Sequence, residues 1–165
     1  MQRNGMSNVW RLISLGGLAG GAAEVLWVLL YSRANDVSAA LVAQQVTASL
    51  WPSAGVWAGA PLIGIAIHMV LALALAALCA PLLIRVATRH AAAATAMAAV
   101  AALTVVWAIN FFFVLPVINP GFVTLMPYGA TLASKMLFAL AMAAVVHNAL
   151  RARAPAGRRA GWRIH

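Results

Sequence analysis

Acidic side chains are almost missing from this chain. Glu24 and Asp36 are the only two, and Lys135 is the only lysine among eleven basic residues. Charged residues make up 8% of the 165 positions and hydrophobic residues 65%, at a mean hydropathy of +0.95. That balance excludes an ordinary soluble domain. One cysteine, Cys79, excludes an internal disulfide and any cysteine-based metal or redox pair. No strand pattern is present, and so no glycine-rich phosphate loop follows one. Ser134 adjoins Lys135, but consecutive residues point about 100° apart on a helix, which excludes a paired nucleophile and base. No sequence repeat stands out.

What is there is four apolar stretches, at about 10–31, 61–84, 91–116 and 124–150. Each is long enough to cross a bilayer, which takes roughly 20 residues. The expected fold is all-α: a four-helix transmembrane bundle filling residues 1–150 as one domain, with a basic tail at 151–165. The first stretch contains a carboxylate and runs too long for a signal-peptide core, so it is expected to be retained. Between the first two spans, 32–59 is too polar to cross. It predicts a short amphipathic helix on the membrane surface, capped by Asn35 and Asp36, starting near Val37 and closed by Trp51 and Pro52. Pro81 is expected to bend or end the second span near its inner end. Pro116, Asn119, Pro120 and Gly121 are expected to make the turn between the third and fourth spans.

The basic residues lie on one side. Arg3 and Arg11 precede the first span, Arg85 and Arg89 join the second and third, and Arg151, Arg153, Arg158, Arg159 and Arg163 follow the fourth. The other two loops carry only Arg33. The positive-inside rule places both termini in the cytoplasm, in a bacterial inner membrane. The tail RARAPAGRRAGWRIH reads as flexible. Its arginines, with Arg85 and Arg89, suit anionic lipid headgroups. With no aromatic interleaving beyond Trp162, nucleic acid is not an expected partner.

The stretch GGLAGGAAEVLW, residues 16–27, holds two small-xxx-small pairs, Gly16/Gly20 and Gly17/Gly21, and then Glu24. Small residues let helices approach closely in lipid. Residues four apart share a face, so the packing face also carries the carboxylate. The second span repeats the theme in Gly64, His68 and Ala72, and the fourth in Thr131, Lys135 and Ala139. The third offers Asn110 among bulky residues from Val105 to Phe113, a face that would suit a partner protein or lipid. Counted from the outer ends at ~1.5 Å per residue, Glu24, His68 and Asn110 lie roughly 10 Å deep and Lys135 slightly deeper. Every span thus brings one polar residue to a similar level. A lone charge at mid-membrane costs about 2.5–3.5 kcal/mol, which Glu24 and Lys135 would offset by facing each other. Such a cluster serves helix register alone, or a proton, ion or ligand.

Other chemistries fit less well. A bis-histidine haem at His68 needs a second imidazole at matching depth, and His147 lies at the cytoplasmic end. His90 and His165 fall in the basic loop and tail. No cofactor or metal site is expected, with haem or metal at His68 the residual option. Met69, Met97, Met126, Met136 and Met142 are scattered and read as core filling.

The run from Ala34 to about Val146 resembles a group of small four-helix bacterial inner-membrane proteins of unassigned function. The likeness rests on NDVSAALVAQQVTASLWPSAGVWAGA, GIAIHMVLALALAAL, VVWAINFFFVLPVINP and a last helix entered through Pro127. It implies fold and topology and no activity. In that group the fourth helix tends to carry a histidine near the place of Lys135. Lysine replaces it poorly as a ligand, which speaks against a shared metal or haem role.

The residues supply no catalytic set. The expected role is a non-catalytic accessory or scaffold subunit of a larger membrane complex, with a membrane-protein partner or a second copy. The alternatives are a small transporter, channel or proton-handling protein using Glu24, His68, Asn110 and Lys135, or a haem- or metal-binding protein using His68.

Overall fold

The computed structural model describes residues 3–152. Arg153, Arg158, Arg159 and Arg163, and with them the expected flexible tail, lie outside the described residues. The elements are α1 (Arg3–Ala34), α2 (Ala39–Leu50), a 3-10 turn (Pro52–Val56), α3 (Ala60–Ala87), α4 (Ala92–Ile109), a π turn (Asn110–Val114), α5 (Leu115–Ile118), α6 (Pro120–Leu125) and α7 (Tyr128–Arg151). Among the described residues there is no strand. Four helical segments, Asn8–Ala34, Ala60–Ala87, Ala92–Ile118 and Tyr128–Arg151, are long and apolar enough to cross a membrane. In hydrocarbon only a helix satisfies its own backbone polar groups within one segment, which is why such runs fold this way.

α1 packs against α3 and α7, and α4 packs against α7 and α3. The glycines of α1 divide that work. A Cβ on Gly17 or Gly21 would meet Leu73, Ala72 or Met69 of α3 at 3.0–3.2 Å. On Gly16 or Gly20 it would meet Met142 or Phe138 of α7 at 2.7–3.2 Å. The two overlapping small pairs therefore serve two different neighbours. The main apolar core fills the half nearer the α3–α4 turn, around Ile13, Leu83, Leu103, Phe138, Met142 and Val146. Met126 and Met142 are buried, but Met97 is 67% exposed and fills no core.

Several local expectations are corrected. Asn35 and Asp36 do not cap α2; they finish α1. Asn35 donates to the Tyr31 carbonyl at 3.0 Å, and Asp36 turns the chain with φ 53°. Aspartate tolerates that left-handed geometry, and Val37 N–H then closes onto the Ser32 carbonyl at 3.2 Å. The N-cap of α2 is Ser38, whose Oγ accepts from Leu41 N–H at 3.2 Å.

α2 is also more than a surface rider. It packs along α3, with Thr47 fully buried and donating to the Ala60 carbonyl at 2.6 Å. Gly64 makes the approach possible, because a Cβ there would collide with the Ala43 carbonyl oxygen.

Pro81 does not end α3, which continues to Ala87. The third span departs from regular α-helical geometry. Leu115 N–H bonds the Asn110 carbonyl across five residues, one widened π turn. Pro116 supplies the cause: it lacks an N–H and would clash with the carbonyl four residues back, so the preceding turn opens. The widening splits the bulky run. Trp107 and Phe111 turn inward, while Val105, Ile109, Phe112 and Phe113 stay exposed.

The turn into the fourth span is longer than expected. Pro116 is helical, α6 occupies Pro120–Leu125, and α7 starts at Tyr128 rather than Thr124. Asn119 caps α6 by accepting from Phe122 N–H at 3.2 Å. Its amide lies within 2.9–3.1 Å of the Gln45 carbonyl, Gln45 Oε1 and Ser49 Oγ, which ties this segment to α2.

These contacts rank the glycines. Gly64→Ala drives a methyl into backbone, and Gly20→Ala drives one into the buried Phe138 ring. Each should cost about 1–3 kcal/mol, Gly64 the more. Gly129→Ala meets nothing within 4 Å and should be neutral or slightly stabilising. Thermal unfolding in detergent reads all three; equal midpoints would contradict the packing described.

Candidate functional site

Glu24 sits on α1 one turn beyond Gly20, between α3 and α7, and is 3% exposed. Its Oε1 receives Lys135 Nζ of α7 at 2.7 Å, and its Oε2 faces His68 Nε2 of α3 at 3.5 Å. Ser134 Oγ donates to Oε1 at 3.3 Å. One carboxylate is thus shared by groups from two neighbouring helices. The Lys135 ammonium also lies 5.6 Å over the Phe138 ring, a favourable cation–π placement. Glu24 is close to sealed, whereas the His68 and Lys135 side chains keep 25% and 20% of their surface.

Two tryptophans hold the frame. Trp27 Nε1 donates to the Ala130 carbonyl at 2.8 Å, fixing α1 on α7 just beyond the ion pair. Trp107 Nε1 donates to Thr131 Oγ1 at 3.0 Å, fixing α4 on α7. Trp107, Phe111, Phe112 and Tyr128 stack with centroids 5.2–6.3 Å apart and brace the π turn.

Above the ion pair the helices part around a cavity of about 430 Å³. His68, Lys135, Asn110 and Thr131 contribute its polar wall, and Glu24 and Ser134 reach it from behind. Apart from Ser49 on α2 the rest is apolar, with Val28, Val46, Leu71, Val114, Phe122 and Met126 among the lining residues. The volume falls within the usual range for small-molecule sites.

Of the residues expected to meet, Glu24, His68 and Lys135 do so directly. Asn110 does not join them: it opens the π turn and lines the same cavity, and among the described residues no hydrogen bond links its amide to the trio. Helical spacing argues against Ser134 joining Lys135, because their Cβ atoms diverge. Lysine's length removes the objection, since the short hydroxyl and the long ammonium converge on one oxygen. Asn119 reads in the sequence only as a turn residue, yet it joins α6 to α2 at the cavity rim.

As for metal or haem at His68, the neighbouring groups are a carboxylate and an ammonium. His147 lies twelve residues past Lys135, about 18 Å further along α7. Among the described residues no group of three His, Cys, Asp or Glu is placed to hold a metal ion.

The sharing of Glu24 has an energetic signature. Lys135→Met alone leaves a buried carboxylate without its cation and should destabilise by about 3–5 kcal/mol. Adding Glu24→Gln removes the stranded charge and should restore most of that loss. A double-mutant cycle on unfolding in detergent measures it; additive effects would mean that the two charges are not coupled.

Comparison with protein-family models, curated proteins and solved structures returns no match.

Proposed function

We propose that the chain is a multi-pass inner-membrane protein that takes a small amphiphilic molecule into the cavity above Glu24. The observation that carries this reading is the arrangement of donors. Lys135, His68, Asn110 and Thr131 line a space whose remaining walls are mainly apolar, with the carboxylate that neutralises Lys135 buried behind them. A guest with an apolar body and a hydrogen-bond-accepting head matches that lining. The polar level lies in the half of the membrane that the positive-inside rule makes periplasmic, and entry from that side follows. This favours the transporter or carrier class over an accessory subunit. The accessory reading draws on the exposed Val105, Ile109, Phe112 and Phe113, a face that acyl chains cover equally well.

The donor wall should select by head group. Methyl octyl ketone, decanol and decylamine share similar tails and differ in accepting, accepting and donating, or only donating as the ammonium. Co-purification in detergent, measured by gas chromatography–mass spectrometry against empty micelles, should rank ketone and alcohol above amine. Val46→Phe, which fills the cavity from α2, should abolish the excess of all three. An excess of amine, or ketone retention unchanged in Val46→Phe, would refute the reading.

A further inference from the structure

The cavity above Glu24 is covered toward the loops. α2 lies across it, with Val42, Ala43 and Val46 in the lining, and Phe122 and Met126 close it at α6. α2 is held in place on two sides. Thr47 donates to the Ala60 carbonyl of α3, and the Asn119 amide donates to the Gln45 carbonyl and Ser49 Oγ.

The opening is at the side. Six lining residues are also exposed: Leu29, Leu50, Ile65, Leu71, Val114 and Ile118. All six are apolar, while every polar residue of the lining is buried or half-buried. A mouth that met water would carry polar groups at its rim. A rim facing hydrocarbon must do without them, because lipid offers no hydrogen-bond partner.

Helix pairing shows where the rim parts. α3 packs against the third span through α4, and its Cys79, Ala80 and Leu83 share one core with Ala99 and Leu103. That packed interface does not carry on along the π turn or α5. Leu71 on α3 and Val114 and Ile118 on the third span stand on either side of the resulting gap, with Leu50 at the end of α2. Leu71 lies about 16 Å along α3 from Ala60, and Val114 about 6 Å before the end of the third span at Ile118. The gap therefore falls within the spans, where acyl chains are the surroundings.

We infer, on the reading of the cavity given above, that its guest is a long-chain lipid that enters sideways from the outer half of the bilayer. The head is uncharged and accepts hydrogen bonds from Lys135 and Asn110, and the chain passes out between α3 and the third span. Charge complementarity sets the head: Glu24 already neutralises Lys135, so an ester, ketone or hydroxyl oxygen suits the wall and brings no charge that would need a partner. Volume sets the chain. At about 30 Å³ per water-sized group, about 430 Å³ holds an octyl chain with its head but not an octadecyl chain. The longer chain must lie partly outside, and the apolar lips let it do so without exposing hydrocarbon to water.

The test uses the full chain in detergent and compares methyl octyl ketone with methyl octadecyl ketone, each measured by gas chromatography–mass spectrometry against empty micelles. Both should be retained, the longer at least as well as the shorter. Leu71→Trp together with Val114→Trp narrows the gap from its exposed lips. The pair should lower retention of the octadecyl ketone about tenfold, the scale of overfilling a packed site, and leave the octyl ketone unchanged. Retention of the octyl ketone with exclusion of the octadecyl ketone would overturn the side opening and leave the reading of the cavity standing. That comparison needs no variant, so it decides even if the double variant fails to fold. Octadecyl ketone retention unchanged in the folded double variant, or equal loss of both ketones, would also overturn the inference. Retention of neither ketone by the unaltered chain would defeat the reading of the cavity itself, and this inference with it.

Discussion

A carboxylate held 3% exposed between three apolar helices is the constraint on which this structure turns. Removing an ion from water costs several kcal/mol, and only close, well-placed partners repay it. Glu24 Oε1 has such partners in Lys135 and Ser134, and His68 stands 3.5 Å from Oε2, because α1, α3 and α7 approach one another closely at that level. They approach closely because Gly17 and Gly21 admit α3, and Gly16 and Gly20 admit α7. Glycine is ordinarily a poor helix residue, and each of these weakens α1 as an isolated helix. The ion pair thus depends on the close approach that the glycines permit.

The same close approach accounts for the cavity. Below Glu24, small residues and the core around Phe138, Leu103 and Met142 leave no such room. Above it, bulky groups take over. Trp107, Phe111 and Tyr128 pack as a cluster on α4, the π turn and α7, while α2 packs along α3 and lines the cavity from the other side. Wide groups on one side and a helix added on the other leave space between. Asn119 closes the rim by joining α6 to α2. The Pro116 widening places Asn110 on the cavity wall rather than on Glu24.

The spans were legible in the sequence because an unbroken apolar run has only one stable form in a bilayer. The meeting of Glu24, His68 and Lys135 was legible for a related reason: small residues four positions apart mark a contact face, and a charge on that face needs a partner. What escaped was set by side-chain reach and by local competition between caps. Asn35 and Asp36 carry as strong a capping signal as Ser38, and only the left-handed turn at Asp36 decides that they end one helix rather than begin the next. Ser134 escaped because helical angle describes Cβ directions and says nothing of how far lysine extends. The π turn is encoded in Pro116, but so would be a bend or a stop. His147 escaped because a histidine near a helix end suggests solvent, and its burial depends on how α4 lies across it.

Charge is distributed along α7 in a way that separates two chemistries. At one level Lys135 is cancelled by Glu24, so the donors lining the cavity carry little net charge, and a neutral acceptor is their natural complement. At the other end no carboxylate offsets the arginines, and the formal net charge of +9 resides almost wholly in them. An anionic membrane leaflet attracts such a surface. That attraction is diffuse and screened by salt.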